Sequence, residues 1–257
     1  ESQMKALRQI HRILKKGGYF IMLEAFDDGL KELNDARTTV NLEKIQPAWH
    51  NFYFNKKKFE TFIAKKFEDQ NKSIVLMCAH YANFEWIFVL QRHINFKGYA
   101  IYKRLENKYF DRLIKRIRAR YNSYLITTKE TISVLTQAKQ NGELTINGFI
   151  SDQTPKIYKA FHWNTFMGIK VPVHTGAEML AKKLDMSVVF FGVKKIKRGY
   201  YETTFKTLAE NPNDYKDYEI TDAFLKLVEK QIYEAPEYYL WTHKRWKHKD
   251  SVPKEFQ

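Results

Sequence analysis

The stretch SIVLMCAHYANFEW, residues 73–86, decides the fold. Its apolar run, Ile74 to Ala79, has no polar break. A run this short and continuous reads as a strand buried on both faces, which is the habit of parallel sheets. It closes on His80. A polar break follows, and a helix is expected over 84–91 with Asn83 as its candidate cap. Glu85 then lies in the first turn, where the helix dipole favours a carboxylate.

Ligand sites of open α/β sheets gather at the carboxyl ends of strands. His80 stands at such an end. A five-residue spacing does not align two side chains on one helix, but it can do so across a strand, a turn and a first helical turn. A carboxylate bonded to one ring nitrogen fixes the tautomer and leaves the other nitrogen as a base. His80 and Glu85 therefore read either as such a pair or as a turn histidine beside an exposed glutamate.

Outward from this stretch, strands and helices alternate. Strands are expected over 98–102, 124–128 and 144–150. Helices are expected over 107–121 and in TISVLTQAKQN. Residues 154–173 read as a loop with an aromatic cluster. TGAEMLAKKL reads as a helix capped by Thr175. SVVFFGVKKI and YYETTFKTL read as a hairpin around Arg198-Gly199. TDAFLKLVEKQIYEA reads as a helix with Thr221 as its cap. The alternation argues for an α/β fold, a mostly parallel central sheet flanked by helices. Upstream, Met4, Leu7, Ile10 and Ile13/Leu14 fall at helical spacing before Gly17-Gly18. YFIMLEAF (19–26) reads as a strand, DDGLKELNDA as the start of a helix, and 54–67 as a helix with Phe59, Phe62, Ile63 and Phe67 on one face.

Two further positions carry candidate chemistry. Asp152 ends the strand in GFISDQTP, as a turn former or as a residue lining the same edge as His80. Phe110, Leu113, Ile114, Ile117 and Tyr121 share one face of the helix over 107–121, and Arg118 and Arg120 flank it. These arginines read as a solvated basic face or as a contact to phosphate or a carrier protein. The segment YYLWTHKRWKHK (238–249) mixes aromatics with cations, as base-stacking surfaces and membrane interfaces both do.

The chain has 257 residues, 16% of them aromatic, which argues against disorder. Its net charge of +15 attracts anions: nucleic acid, acidic headgroups, phosphorylated substrates or acidic carrier proteins. No apolar run reaches the roughly 18 residues of a membrane-spanning helix. The one cysteine, Cys78, can form no intrachain disulfide and reads as a core residue. Metal-binding spacings, Gly-rich phosphate loops and G-x-S-x-G are absent, so neither metal nor cofactor is expected.

Taken in register, CAHYANFEW, NKYFDRLIKRIRARY, GFISDQTP, FMGIKVPVHTGAEMLAKKL and APEYYLWTHKRWK resemble the late acyltransferases of lipid A biosynthesis, most closely their Bacteroidetes versions. The resemblance covers about residues 70–257 and implies a glycerolipid acyltransferase-like sheet. It implies that His80 and Glu85 form the H-x-x-x-x-D/E dyad, with His80 as general base supported by Glu85. It further implies that Arg118, Asp152 and Arg245 bind substrate. The implied reaction moves a fatty acyl chain from acyl carrier protein to a hydroxyl of a lipid A precursor, without cofactor or metal. Its implied place is the cytoplasmic face of the inner membrane. With no spanning helix, the chain is expected to dock peripherally on an anionic membrane surface.

The first 66 or so residues are similar instead to the C-terminal half of a class I S-adenosylmethionine methyltransferase, without its Gly-rich cofactor motif. The expectation is a remnant at 1–69, without a cofactor site, fused to an acyltransferase domain at 70–257. In this reading the family's anchor and first soluble helices are replaced by the remnant. The rival readings are an inactive fragment of the same enzyme and a basic nucleic-acid-binding module.

Overall fold

The computed structural model describes residues 71–92, 94–197 and 200–256, with 35, 37–39 and 41–43. The elements expected over 4–26 and 54–67 lie outside the described residues. Of DDGLKELNDA only Asp35 is described; it and Arg37–Thr39 just beyond the segment are helical.

The strands are β1 (Ile74–Cys78), β2 (Lys97–Tyr102), β3 (Tyr124–Thr127), β4 (Thr145–Ile150), β5 (Trp163–Phe166), β6 (Ile169–Pro172), β7 (Ser187–Lys197) and β8 (Tyr200–Ala209). Six of them form one sheet in the order β3-β2-β4-β1-β7-β8, and β5 pairs with β6. β1 runs parallel to both β4 and β7, and β2 parallel to both β3 and β4. β8 starts so soon after β7 ends that the two can neighbour only as an antiparallel pair. The sheet is thus mixed and mostly parallel, an α/β fold as expected.

β1 sits at the centre because it is apolar on both faces, and all five of its residues are buried. Val75 and Met77 join the main core with Leu135, Val188, Phe224 and Val228. Leu76, on the opposite face, lines a small cleft instead.

Among the described residues, α1 (Lys108–Arg118), α2 (Thr131–Gln140) and α3 (Gly176–Leu184) connect strands, and α4 (Glu219–Glu234) follows the last strand. The segment expected as a helix over 84–91 is a 3-10 helix, Phe84–Arg92. The bond at its start is backbone, from the Trp86 N–H to the Asn83 carbonyl at 3.2 Å. The helix expected over 107–121 is α1 followed by one 3-10 turn at Ala119–Tyr121, and Asn107 Oδ1 caps it by accepting from the N–H groups of Tyr109 and Phe110.

Three local expectations change. Residues 154–173 are not all loop, because β5 and β6 form an antiparallel hairpin there. Its two-residue turn is Met167-Gly168, both at positive φ, the conformation that tight hairpins require. The Met167 N–H is held by the Glu229 carboxylate, which helps fix a methionine in that conformation. Thr221 lies inside α4 and does not cap it. The α4 start is held by the carboxylate of Glu178 on α3, fully buried, which accepts from the N–H groups of Tyr218 and Thr221 and from the Thr221 hydroxyl. Thr175 makes no side-chain cap bond at α3.

Candidate active site

β1 and β4 pair in parallel with Cys78 opposite Ile150. The pairing continues one step past the strands, where the Ser151 N–H donates to the Cys78 carbonyl at 3.1 Å. Two residues beyond each paired position stand His80 and Asp152, so the register alone brings them together. Nδ1 of His80 lies 2.8 Å from Oδ1 of Asp152. The carboxylate can only accept, so Nδ1 carries the proton and Nε2 is the ring's basic nitrogen. Asp152 is buried at 1% exposure, while the His80 side chain keeps 20%. The ring also meets the edge of Phe84, centroids 5.1 Å apart.

Glu85 is placed differently from its expected role beside the imidazole. Its carboxylate meets Arg118 in a two-pronged ion pair, with Nε of Arg118 donating to Oε2 at 3.0 Å and Nη2 to Oε1. The reason is topological. His80 is fixed by the β1–β4 register, whereas Glu85 is carried away on the 3-10 helix and faces the last turn of α1. The guanidinium also lies over the Phe88 ring, 5.6 Å from its centroid. Phe88 follows Glu85 by three residues, which stacks the two on one side of a 3-10 helix.

The loop carrying His80 is clamped by the C-terminal segment. The Leu240 N–H donates to the His80 carbonyl at 3.1 Å and the Ala82 N–H to the Tyr238 carbonyl at 2.8 Å, around a bridge between Tyr81 and Tyr239. The Tyr81 hydroxyl donates toward the carbonyls of Gln231 and Ala235 at the end of α4. Ala82, at positive φ, turns the chain into the 3-10 helix.

Arg245 was expected to contact substrate. It is instead fully buried. Nη1 donates to the Pro172 carbonyl at 2.9 Å and to the Thr154 hydroxyl at 3.1 Å, and the guanidinium lies over Phe166. Burial pushes its pKa down to about 10, opposed by the charges of Tyr239 and Asp152. The aromatics of the same segment are engaged as well: Trp246 stacks on Phe166 and on Trp241. Within this segment Tyr239 and Arg245 are buried, while Leu240, Trp241, Lys244 and Lys247 stay exposed.

Tyr239 and His243 are neighbours of the site that the sequence reading placed in the closing aromatic and basic segment without giving either a role. Burial, and then the charge of Asp152, raise the Tyr239 phenol above its ordinary range. Its hydroxyl and Asp152 Oδ2 are both buried and outside hydrogen-bond geometry. His243 Nε2 accepts the Thr154 N–H at 3.0 Å, which requires the neutral ring. Burial and the cations Lys247 and Arg245 lower its pKa accordingly. Both residues lie in YYLWTHKRWKHK, so composition marked the segment but not their roles.

Cys78, the nearest thiol, is fully buried, and burial together with the charges of Asp152 and Glu85 holds it firmly protonated. That environment suits a core residue, not a nucleophile. A second histidine–carboxylate pair, His162 with Asp222 at 2.9 Å, stacks on Tyr218, so pairing alone does not mark a site. Position at the carboxyl edge of the sheet separates His80 from it. Among the described residues no cluster of His, Cys, Asp and Glu could hold a metal.

An apolar cleft lies between the 3-10 helix and the sheet, lined by Leu76, Ile87, Phe88, Tyr99, Ile146 and Gly148 among others. It shares Phe88 with the Arg118 site. Gly148 leaves its wall open, since a Cβ there would stand 3.6 Å from Ile87.

The mostly parallel sheet thus presents the His80–Asp152 pair at its carboxyl edge. Residues 55–248 match the family model described as bacterial lipid A biosynthesis acyltransferase, and the chain belongs to that family. The match begins at residue 55, ahead of the division expected at residue 69. No curated protein matches the chain.

Proposed function

We propose that the chain transfers a fatty acyl group from an acyl carrier protein thioester to a hydroxyl of a lipid A precursor, with His80 as general base. The observation that carries this reading is the His80–Asp152 pair at the carboxyl edge. Asp152 holds the Nδ1–H tautomer, and Nε2 accepts the proton of the attacking hydroxyl. The oxygen then attacks the thioester carbon, and the proton passes to the departing thiolate. A positioned base of this kind contributes roughly 10²–10⁴-fold. Direct transfer is the simpler course, because Cys78 is unsuited to form an acyl-enzyme.

In this reading Glu85 works through Arg118. It engages Nε and Nη2 and presents a rigid guanidinium whose Nη1 serves an anionic group of the substrate. The apolar cleft receives the hydrocarbon, which its lining suits. The two-domain division at residue 69, with the methyltransferase-like segment as a cofactor-free remnant, belongs to the same proposal. So does action at the cytoplasmic face of the inner membrane. No described helix is long and apolar enough to cross a membrane.

The test is acyl transfer by the whole chain from acylated carrier protein to a lipid A precursor. Turnover that disappears in His80→Ala supports the reading. Absence of turnover in the folded wild-type chain favours the inactive-fragment alternative.

A further inference from the structure

α1 is packed with its polar side inward. Asp111 is its one buried residue, and its carboxylate accepts the Leu105 N–H at 2.9 Å and pairs with Lys115 at 3.4 Å. Lys115 lies over the Tyr102 ring, and Arg118 is engaged by Glu85. A surface helix ordinarily turns its apolar stripe to the core. Here these inward bonds fix the opposite orientation. Tyr109 is 73% exposed, Phe110 53%, Leu113 49% and Ile117 56%. At helical spacing these four form one outward stripe, bordered by the exposed Arg112 and Arg116.

A second exposed surface of the same kind follows β4. Ile157, Tyr158 and Phe161 are 47%, 66% and 65% exposed, beside exposed Lys156 and Lys159. β2 leads to α1 and β4 leads to this loop, and the two strands are neighbours. Both surfaces therefore leave the sheet at its carboxyl edge, the edge that holds His80.

We propose that α1 and the 156–161 loop seat the carboxyl edge of the sheet on an anionic lipid bilayer, with the α1 stripe entering the interface and the flanking cations binding headgroups. The occupant follows from the chemistry of the surface. Four large side chains, two of them aromatic, stand in water on a helix that its inward bonds prevent from rolling over. Residues 103–121 carry eight Lys and Arg against two carboxylates, Glu106 and the buried Asp111. An apolar stripe bordered by cations, with aromatics among them, is the composition of an interfacial helix. An acidic protein would satisfy the cations but not call for the apolar side chains between them. The inference rests on the acyltransferase reading only in supplying a reason for the orientation: the catalytic edge then faces an amphiphilic acceptor.

The test needs no turnover. The whole chain is co-sedimented with vesicles of phosphatidylethanolamine and phosphatidylglycerol, and separately with phosphatidylcholine. Binding is expected to the anionic vesicles, to weaken with salt, and to fall roughly tenfold or more for each of Leu113→Glu and Ile117→Glu. A polarity-sensitive dye is then attached at Leu113→Cys and, separately, at Lys244→Cys in the C-terminal segment. Cys78 is buried and does not compete for it. Anionic vesicles are expected to blue-shift the dye at 113 and leave that at 244 unchanged. The proposal is overturned by undiminished vesicle binding in the Glu variants, by a shift at 244 without one at 113, or by no vesicle binding at all. It is overturned equally if those variants lose binding to acyl carrier protein while keeping their hold on vesicles. Absence of acyl transfer by the wild-type chain, with its vesicle binding intact, would instead count against the proposed reaction.

Discussion

His80 Nδ1 and Asp152 Oδ1 lie 2.8 Å apart because each stands two residues beyond a matched pair in the β1–β4 ladder. Their contact is a consequence of strand register, so it is rigid at the backbone level. Asp152→Asn keeps the shape but removes the acceptor that fixes the Nδ1–H tautomer. Acyl transfer is expected to fall by roughly 10²-fold or more, approaching the loss in His80→Ala. Thermal unfolding should confirm that both variants fold. Full activity in Asp152→Asn would remove the aspartate from the mechanism.

The Glu85–Arg118 pair is part-exposed, at 42% and 21% of the two side chains, so its contribution to stability is small, about 0–1 kcal/mol. Its effect is expected in kinetics. Arg118→Lys loses the planar two-pronged contact while keeping the charge. The expected outcome is a raised KM with an unfolding midpoint close to that of the wild type. Glu85→Gln should behave similarly and should leave the pH profile of His80 unchanged. A shifted profile in Glu85→Gln would restore direct support of the imidazole by Glu85.

His243 gives the C-terminal clamp a pH dependence. Its ring must be neutral to accept the Thr154 N–H, and its folded pKa is lowered from the ordinary histidine value. A lowered pKa means that the fold disfavours the proton. The stability is therefore fully present above the unfolded value near 6.5 and is lost as pH falls through the lower folded value. His243→Gln retains an acceptor that does not titrate. The variant's unfolding midpoint should fall less than that of the wild type between pH 7 and 5. Identical acid profiles would contradict this account.

Arg245 shows the opposite economy. Its pKa is pushed down to about 10, so at neutral pH the protonated form is a cost to the fold, one relieved only as pH rises above that value. Arg245→Met fills similar space without a charge and is expected to unfold within about 2 kcal/mol of wild type. Arg245→Ala also leaves a cavity and should lose about 2 kcal/mol more. Urea titration separates the two. Lost activity with intact stability in the Met variant would return Arg245 to a functional role.

The cleft under the 3-10 helix predicts a specificity change. Gly148→Ala introduces only an ordinary contact with Ile87, whereas Gly148→Val reaches further into the space. Competition between acyl donors of different lengths should show a preference for shorter chains in the Val variant and little change in the Ala variant. An unchanged preference in a folded Val variant would place the hydrocarbon elsewhere.

Much of this molecule is legible in the sequence because it is set locally. The apolar run from Ile74 puts a buried strand at the centre, and His80 at its end follows at once. The alternation of strands and helices gives the parallel sheet, and Asp152 is recognisable as a strand-end residue on the same edge. The carboxylate that holds the imidazole is another matter. Glu85 is near in sequence, but Asp152 is 72 residues away and becomes adjacent only when β1 and β4 choose their register. The same holds for α1. Its amphipathic pattern names two faces, but which one turns inward depends on Glu85, Tyr102 and the Leu105 N–H being there to bond its polar side. Arg245, which the resemblance assigns to substrate, is buried because its segment packs on Thr154, Pro172 and Phe166. Composition and periodicity determine elements. Register and the partners that elements meet determine which side chains touch, because those contacts join segments whose spacing no local pattern encodes.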